Sequence, residues 1–150
     1  MKYLFLLLVF TCLATISNAQ TAEDSVKAAV NRLFDAMKNS DATALQHCFA
    51  DSAILQSIGR DKEGKTVIEN EAVAVFADQI SKIGKGDADE RITIDIVKID
   101  GPLAIVWAPY KFYYKGKFSH CGVDSFQLVK VNGEWKIQYL IDTRRRNGCE

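Results

Sequence analysis

Residues 103–141, LAIVWAPYKFYYKGKFSHCGVDSFQLVKVNGEWKIQYLI, decide how this chain folds. Leu103 to Tyr114 reads as a long aromatic strand. Lys115-Gly116-Lys117 turns it into a second strand, Phe118 to Val131. Asn132-Gly133 is the strongest short hairpin signal in the chain. After it Trp135, Ile137, Tyr139 and Ile141 alternate along a third strand. Long strands joined by tight turns make an antiparallel meander.

Working towards the N-terminus, Asp100-Gly101-Pro102 is a further turn, preceded by Ile92, Ile94 and Ile96 in alternation. Before Glu90 the period is helical. Val26, Val30, Leu33, Phe34 and Met37 form one apolar stripe along Thr21 to Lys38. Asp41 is a ready N-cap for a short second helix carrying Leu45, Cys48 and Phe49. Ala53-Ile54-Leu55 predicts a short strand, and Arg60 to Lys65 a charged loop. Thr66-Val67-Ile68-Glu69 has capping-box spacing and predicts the start of a third helix, with Val73, Phe76, Ile80 and Ile83 on one face. Helices first and a strand meander afterwards is the α+β layout, with the helices on one face of a curved antiparallel sheet.

The first 19 residues read differently. Lys2 supplies a positive start, Leu4 to Ala14 is nearly all apolar, and Ser17-Asn18-Ala19 has small residues where a signal peptidase cuts. The apolar run falls short of the roughly 20 residues that span a bilayer. The expectation is an exported protein, periplasmic or extracellular, with residues 20–150 as its single domain and no membrane attachment after cleavage. The whole chain has 19 basic and 19 acidic residues, and loss of Lys2 leaves it one unit negative. Nothing in that balance calls for nucleic acid. Arg144-Arg145-Arg146 reads as a solvated tail, and Asp87-Ala88-Asp89-Glu90 as a solvated acidic turn. Beyond the leader Cys48, Cys121 and Cys149 remain, an odd number, so at least one is free or pairs between chains. Cys48 and Cys121 read as buried core thiols in preference to members of an intramolecular bridge.

Turn geometry fixes register, and register fixes faces. With Asn132-Gly133 as a two-residue turn, Asp124 lies opposite Ile141, Phe126 opposite Tyr139 and Leu128 opposite Ile137. With Gly116-Lys117 as another, His120 lies opposite Tyr113 and Phe126 opposite Trp107. One face then collects Trp107, Tyr113, His120, Asp124, Phe126 and Tyr139. This is an aromatic wall with one imidazole and one carboxylate, the pattern of a small-molecule pocket. A bulge at Pro109 would exchange Tyr113 for Tyr110. Asp124 and His120, four residues apart on one strand, are about 13 Å apart if extended, too far to bond directly. The opposite face would hold Tyr110, Phe112, Val123, Ser125 and Leu140, apolar enough for a dimer interface.

The stretches Phe118-Ser119-His120-Cys121-Gly122-Val123-Asp124-Ser125-Phe126, Asn132-Gly133-Glu134-Trp135-Lys136-Ile137 and Asp142-Thr143-Arg144-Arg145 are similar to bacterial proteins of the lumazine-binding family. That family lies within the nuclear transport factor 2-like superfamily, and the likeness covers nearly all of residues 20–150. It implies a cone-shaped sheet wrapped round a helix-lined pocket, often in a homodimer. Isomerases of the superfamily use a carboxylate base with a Tyr and a second acid as oxyanion donors. By chemistry alone, Asp124 would be that base and Tyr139 or Tyr113 a donor. Dehydratases of the superfamily use His, Asp and two Tyr around a water, residue types that His120, Asp124 and the phenols supply.

The leading expectation is therefore an exported protein binding a small, aromatic or heterocyclic ligand against Trp107, Tyr110, Tyr113, Phe126 and Tyr139. A cofactor-independent lyase or isomerase acting through Asp124 and His120 is the alternative, and a homodimeric interaction module a third. No P-loop, dinucleotide fingerprint or nucleophile elbow is present. No cofactor is called for. His47 and His120 are the only histidines, neither beside clustered carboxylates, so no dedicated metal site is expected.

Overall fold

The computed structural model describes residues 22–149. The leader read over residues 1–19 lies outside the described residues. Among those described, no helix is long and apolar enough to cross a membrane.

Helix α1 (Ala22–Lys38) buries the whole stripe of Val26, Val30, Leu33, Phe34 and Met37. Its first turn carries Glu23 and Asp24 and its last Lys38, each sign matched to the helix dipole. Helix α2 (Ala42–His47) starts at Asp41, whose side chain accepts the Ala44 N–H at 2.9 Å. Strand β1 (Phe49–Arg60) is far longer than the expected Ala53–Leu55 and pairs with β2 (Thr66–Glu71) across the charged loop. Thr66 to Glu69 thus forms strand, not the start of a helix. Its β-branched Thr66, Val67 and Ile68 suit a pleated surface, and they find partners in Arg60, Gly59 and Ile58. Helix α3 (Val73–Ser81) begins only afterwards.

Strands β3 (Ala88–Ile92) and β4 (Ile96–Asp100) both pair with β5 (Leu103–Tyr114), followed by β6 (Lys117–Val131) and β7 (Glu134–Arg145). The curved, unclosed sheet has the order β2-β1-β7-β6-β5-β3, with β4 also on β5. One pairing departs from the expected antiparallel sheet. β1 lies parallel to β7, because everything from β2 to β6 serves as the long crossover that a parallel pair requires.

Register in the meander also differs in three places. The first turn is Lys115-Gly116, both at positive φ (52° and 73°), so Tyr114 pairs with Lys117. A bulge at Ser119 then sets His120 opposite Phe112, Asp124 opposite Ala108 and Phe126 opposite Val106. Asn132-Gly133 turns as expected and Leu128 does face Ile137. A bulge at Gln138 follows, placing Phe126 opposite Leu140 and Asp124 opposite Asp142. The moved turn shifts the pairing by two and keeps parity, whereas each one-residue bulge sends every later side chain of the partner strand to the other face. Trp107, Tyr113, Tyr139 and Ile141 leave the inner face. Tyr110, Phe112, Leu140 and Asp142, the first three assigned above to an outer interface, join it.

The core lies between the helices and this inner face. Phe126 is fully buried and meets Phe34 edge-on at 6.2 Å. Val30, Leu33, Leu45, Leu128 and Ile137 complete the packing. Cys48 is free and buried as expected, but Cys121 is not a free core thiol: it forms a disulfide with Cys149, which the chain's end brings to a Cα–Cα distance of 5.7 Å.

Candidate functional site

Where α1 and α3 leave the inner face uncovered, a cavity of about 200 Å³ remains. Its walls are Phe34 and Met37 of α1, Phe76 and Ile80 of α3, and Leu55, Phe112 and Leu140 of the sheet. One end is polar: Glu90 from β3, Tyr110 from β5, His120 and Asp124 from β6, and Asp142 and Arg144 from β7. Alternation along adjacent strands aims these six groups at one space.

Asp142 is the best-supported acid. Ser57 Oγ donates to its Oδ1 at 2.5 Å, and Arg144 Nε donates to Oδ2 at 2.8 Å. The Tyr110 hydroxyl lies 3.2 Å from Oδ2 and 2.9 Å from the Thr143 carbonyl, and donates to either. Arg144 also donates to Ser57 Oγ at 2.8 Å, closing a ring of bonds. Tyr110 reaches this ring because Gly122 lies beneath it. A Cβ there would stand 1.7 Å from the Thr143 carbonyl oxygen and 2.7 Å from Tyr110 Cε1.

Asp124 is placed very differently. It is 3% exposed, and its Oδ2 meets no donor. A buried carboxylate without a donor is costly, so the group holds its proton instead. Burial raises its pKa well above the carboxylate range, and the negative charges of Glu90 and Asp142 push the same way. Glu90 is its neighbour across the cavity end. Burial pushes Glu90 up to about 7, while its hydrogen bond with Asp124 pulls the other way. The two carboxyls hold a proton between them and titrate as a pair. Tyr110 remains a phenol, its pKa raised first by burial and then by Asp142, Glu90 and Asp124.

His120 packs edge-on to Tyr110 (ring centroids 5.7 Å) and tilted on Phe112 (5.1 Å), with Nδ1 3.0 Å from Ser119 Oγ. Burial, followed by the nearby Arg144 charge, lowers its pKa and favours the neutral ring.

Of the residues singled out in the sequence, His120, Asp124 and Tyr110 line the cavity. Phe126 lies in the core beneath it. Trp107 is on the outer face opposite Ser125 and 45% exposed. Tyr139 donates its hydroxyl to Gln56 at 2.7 Å, away from the cavity. Tyr113 packs against Phe118 and under the Arg91 guanidinium, 4.2 Å from its ring. Glu90, Asp142 and Arg144 were not singled out. Glu90 sits in what read as a solvated acidic turn, yet it shares the alternation of Ala88 and Ile92, and that parity was the available signal. Arg144 belongs to the basic run read as a tail, but its Nε is held by Asp142. A second groove, about 930 Å³ and shallow, runs between α1, α2 and the β6–β7 turn, with mixed charges such as Arg32, Asp35 and Lys136.

A curved open sheet, helices over its inner face and an acid-ended cavity beneath them define an α+β domain of the nuclear transport factor 2-like kind. The chain belongs to the family described as "putative lumazine-binding", whose model matches residues 21–139. Solved structures agree on the fold. A nuclear transport factor 2-like protein from Shewanella baltica has TM-score 0.64 at 18% identity, covering 83% of this chain and 94% of its own. One from Silicibacter pomeroyi has TM-score 0.61 at 18% identity, covering 81% and 93%. A protein with a cystatin-like fold from Nostoc punctiforme has TM-score 0.65 at 13% identity, covering 85% and 95%. At these identities the likeness is one of fold. Among curated proteins none matches this chain.

Proposed function

We propose that this domain binds a small molecule in the cavity between α1, α3 and the inner face, with the Glu90–Asp124 pair as its polar anchor. The observation that carries the reading is the apolar wall ending in convergent polar groups, one of them a buried carboxyl oxygen with no donor. The family's description supports a heterocyclic ligand. A thermal-shift panel of flavins, pterins, purines and simple aromatic acids, amides and amines tests it. A hit should raise the melting temperature in proportion to occupancy, and should be lost in Phe112→Asp, which puts a charge in the wall. A panel without a hit would defeat the reading.

A second reading is acid–base catalysis, favoured by Glu90 lying near neutral pH, where a general base works best. The pairing differs from Asp124 with His120: Glu90 would take the proton, with the Asp124 carboxyl and the Tyr110 phenol as donors. Glu90→Gln should then abolish turnover of a bound substrate while leaving its binding within a few-fold.

Export is part of the proposal. The leader-like residues 1–19 support it, and so does a Cys121–Cys149 bridge, which persists in oxidising compartments. Intact mass of the protein from the producing cell should correspond to residues 20–150. The homodimer is also proposed. Its support is now the outer face, where Leu103, Ile105 and Trp107 stand exposed side by side along β5. Light scattering at micromolar concentration checks it, and Trp107→Glu should give a monomer.

A further inference from the structure

We infer that the ligand of this cavity is an organic cation, an amidinium or protonated amine on an aromatic ring, which takes the place of the proton held between Glu90 and Asp124. The inference rests on the pocket reading above and adds the chemical class of its occupant.

Charge balance carries the first half. The titratable groups that line the cavity with the pair are Glu71 from β2, Tyr110 from β5, His120 from β6, and Asp142 and Arg144 from β7. Helices α1 and α3 contribute only uncharged side chains to the cavity. Arg144 is bound to Asp142, and those two charges cancel. His120 and Tyr110 are neutral. Above pH 7, with one proton left on the Glu90–Asp124 pair, the polar end still carries a negative charge, Glu71 adds a further acid to the lining, and no cation lining the cavity is left to answer them. An anionic ligand would have to enter against both.

Hydrogen bonding carries the second half. Asp124 Oδ2 is buried and meets no donor, so the pair is satisfied only while it keeps a proton. A ligand N–H fork would supply donors to both carboxyls at once and release that proton. Bidentate, charge-assisted bonds of this kind are among the strongest a protein makes. Phe34, Phe76 and Phe112 in the same lining supply aromatic surface for the ligand's own ring and its charge. A one-ring cation is on the scale of a 200 Å³ cavity.

The test is calorimetric titration of the whole protein with benzamidinium, neutral benzamide and benzoate, in buffers of different ionisation enthalpy. Benzamidinium should bind at least tenfold tighter than benzamide, and benzoate should not bind. At pH 8, where Glu90 has ionised and one proton remains on the pair, binding should release close to one proton, and affinity should rise with pH by up to tenfold per unit there. Glu90→Gln should lose tenfold or more in benzamidinium affinity and the proton release with it. The release is read on the unaltered protein, so the test survives a variant that fails to fold. Benzamide or benzoate binding as well as benzamidinium would overturn the cation and leave the pocket standing. So would failure of all three while a neutral heterocycle from the panel binds. Silence from these probes and from the whole panel would remove both.

Discussion

Replacing Glu90 by Gln should stabilise this protein, and increasingly so as pH rises above about 4.5. The ordinary Glu value is 4.5, and burial among other acids takes Glu90 to about 7. A carboxyl whose folded pKa is raised binds protons more tightly in the folded state. Its contribution to stability is complete below pH 4.5 and is lost as pH rises through 7. At about 1.4 kcal/mol per pKa unit, the interval from 4.5 to about 7 is on the order of 3 kcal/mol. Gln keeps the shape and cannot ionise, so the variant escapes that loss. It also removes one of the charges that raise Asp124, a change of the same sign. His120 acts in the opposite direction. Its lowered pKa gives stability that is present above 6.5 and is lost as pH falls below it. That contribution is common to both proteins and drops out of their difference. Urea unfolding at pH 5, 6, 7 and 8.5 would measure it. The Glu90→Gln advantage should be about 1 kcal/mol at pH 5 and grow to about 3 kcal/mol at pH 8.5. A difference that does not vary with pH would refute the reasoning, because it would mean that Glu90 titrates alike in the folded and unfolded chain.

Other substitutions probe the frame around the pair. Gly122→Ala should prevent folding or cost at least about 3 kcal/mol, since the Thr143 carbonyl that its Cβ would strike is backbone and cannot rotate away; soluble yield and circular dichroism report it. Tyr110→Phe should cost about 1–2 kcal/mol in urea unfolding, because the Thr143 carbonyl loses the phenol's hydrogen bond. Phe126→Ala, at the buried contact with Phe34, should cost roughly 3–5 kcal/mol in the same assay. Cys149→Ser, which opens a bridge spanning 28 residues, should cost about 2–4 kcal/mol with little change in the far-ultraviolet spectrum.

Local signals carried much of the fold into the sequence. The α1 stripe is regular over three turns, Asp41 caps as its type suggests, and Asn132-Gly133 turns where it should. Non-local features were not legible in the same way. That β1 runs beside β7 depends on a pairing of strands some 85 positions apart, with no turn to announce it. Ser119 and Gln138 are unremarkable residues, and a bulge at either leaves no mark on hydrophobic alternation. The inner face was therefore right for His120, Asp124, Phe126, Leu128 and Ile137, which keep their parity, and wrong for Trp107 and Tyr139 across the shifted registers. At the polar end, Glu90 and Arg144 were hidden by their neighbours. Each belongs to a run of like charges whose other members are engaged away from the cavity, as Asp89 is in pairing with Lys38 and Arg91.

The two bulges carry a consequence for how such chains diverge. Deleting Gln138 alone would restore an unbroken ladder and exchange the roles of Tyr139 and Leu140, and of Ile141 and Asp142, with no side chain altered. A single codon lost or gained there would rewrite the interior more thoroughly than several point substitutions. In relatives below one-fifth identity, equivalent positions along β6 and β7 must then be counted from the bulge, not from the turn. A gap placed one column away aligns an interior acid with an exterior isoleucine, and would carry a functional assignment to the wrong side of the sheet.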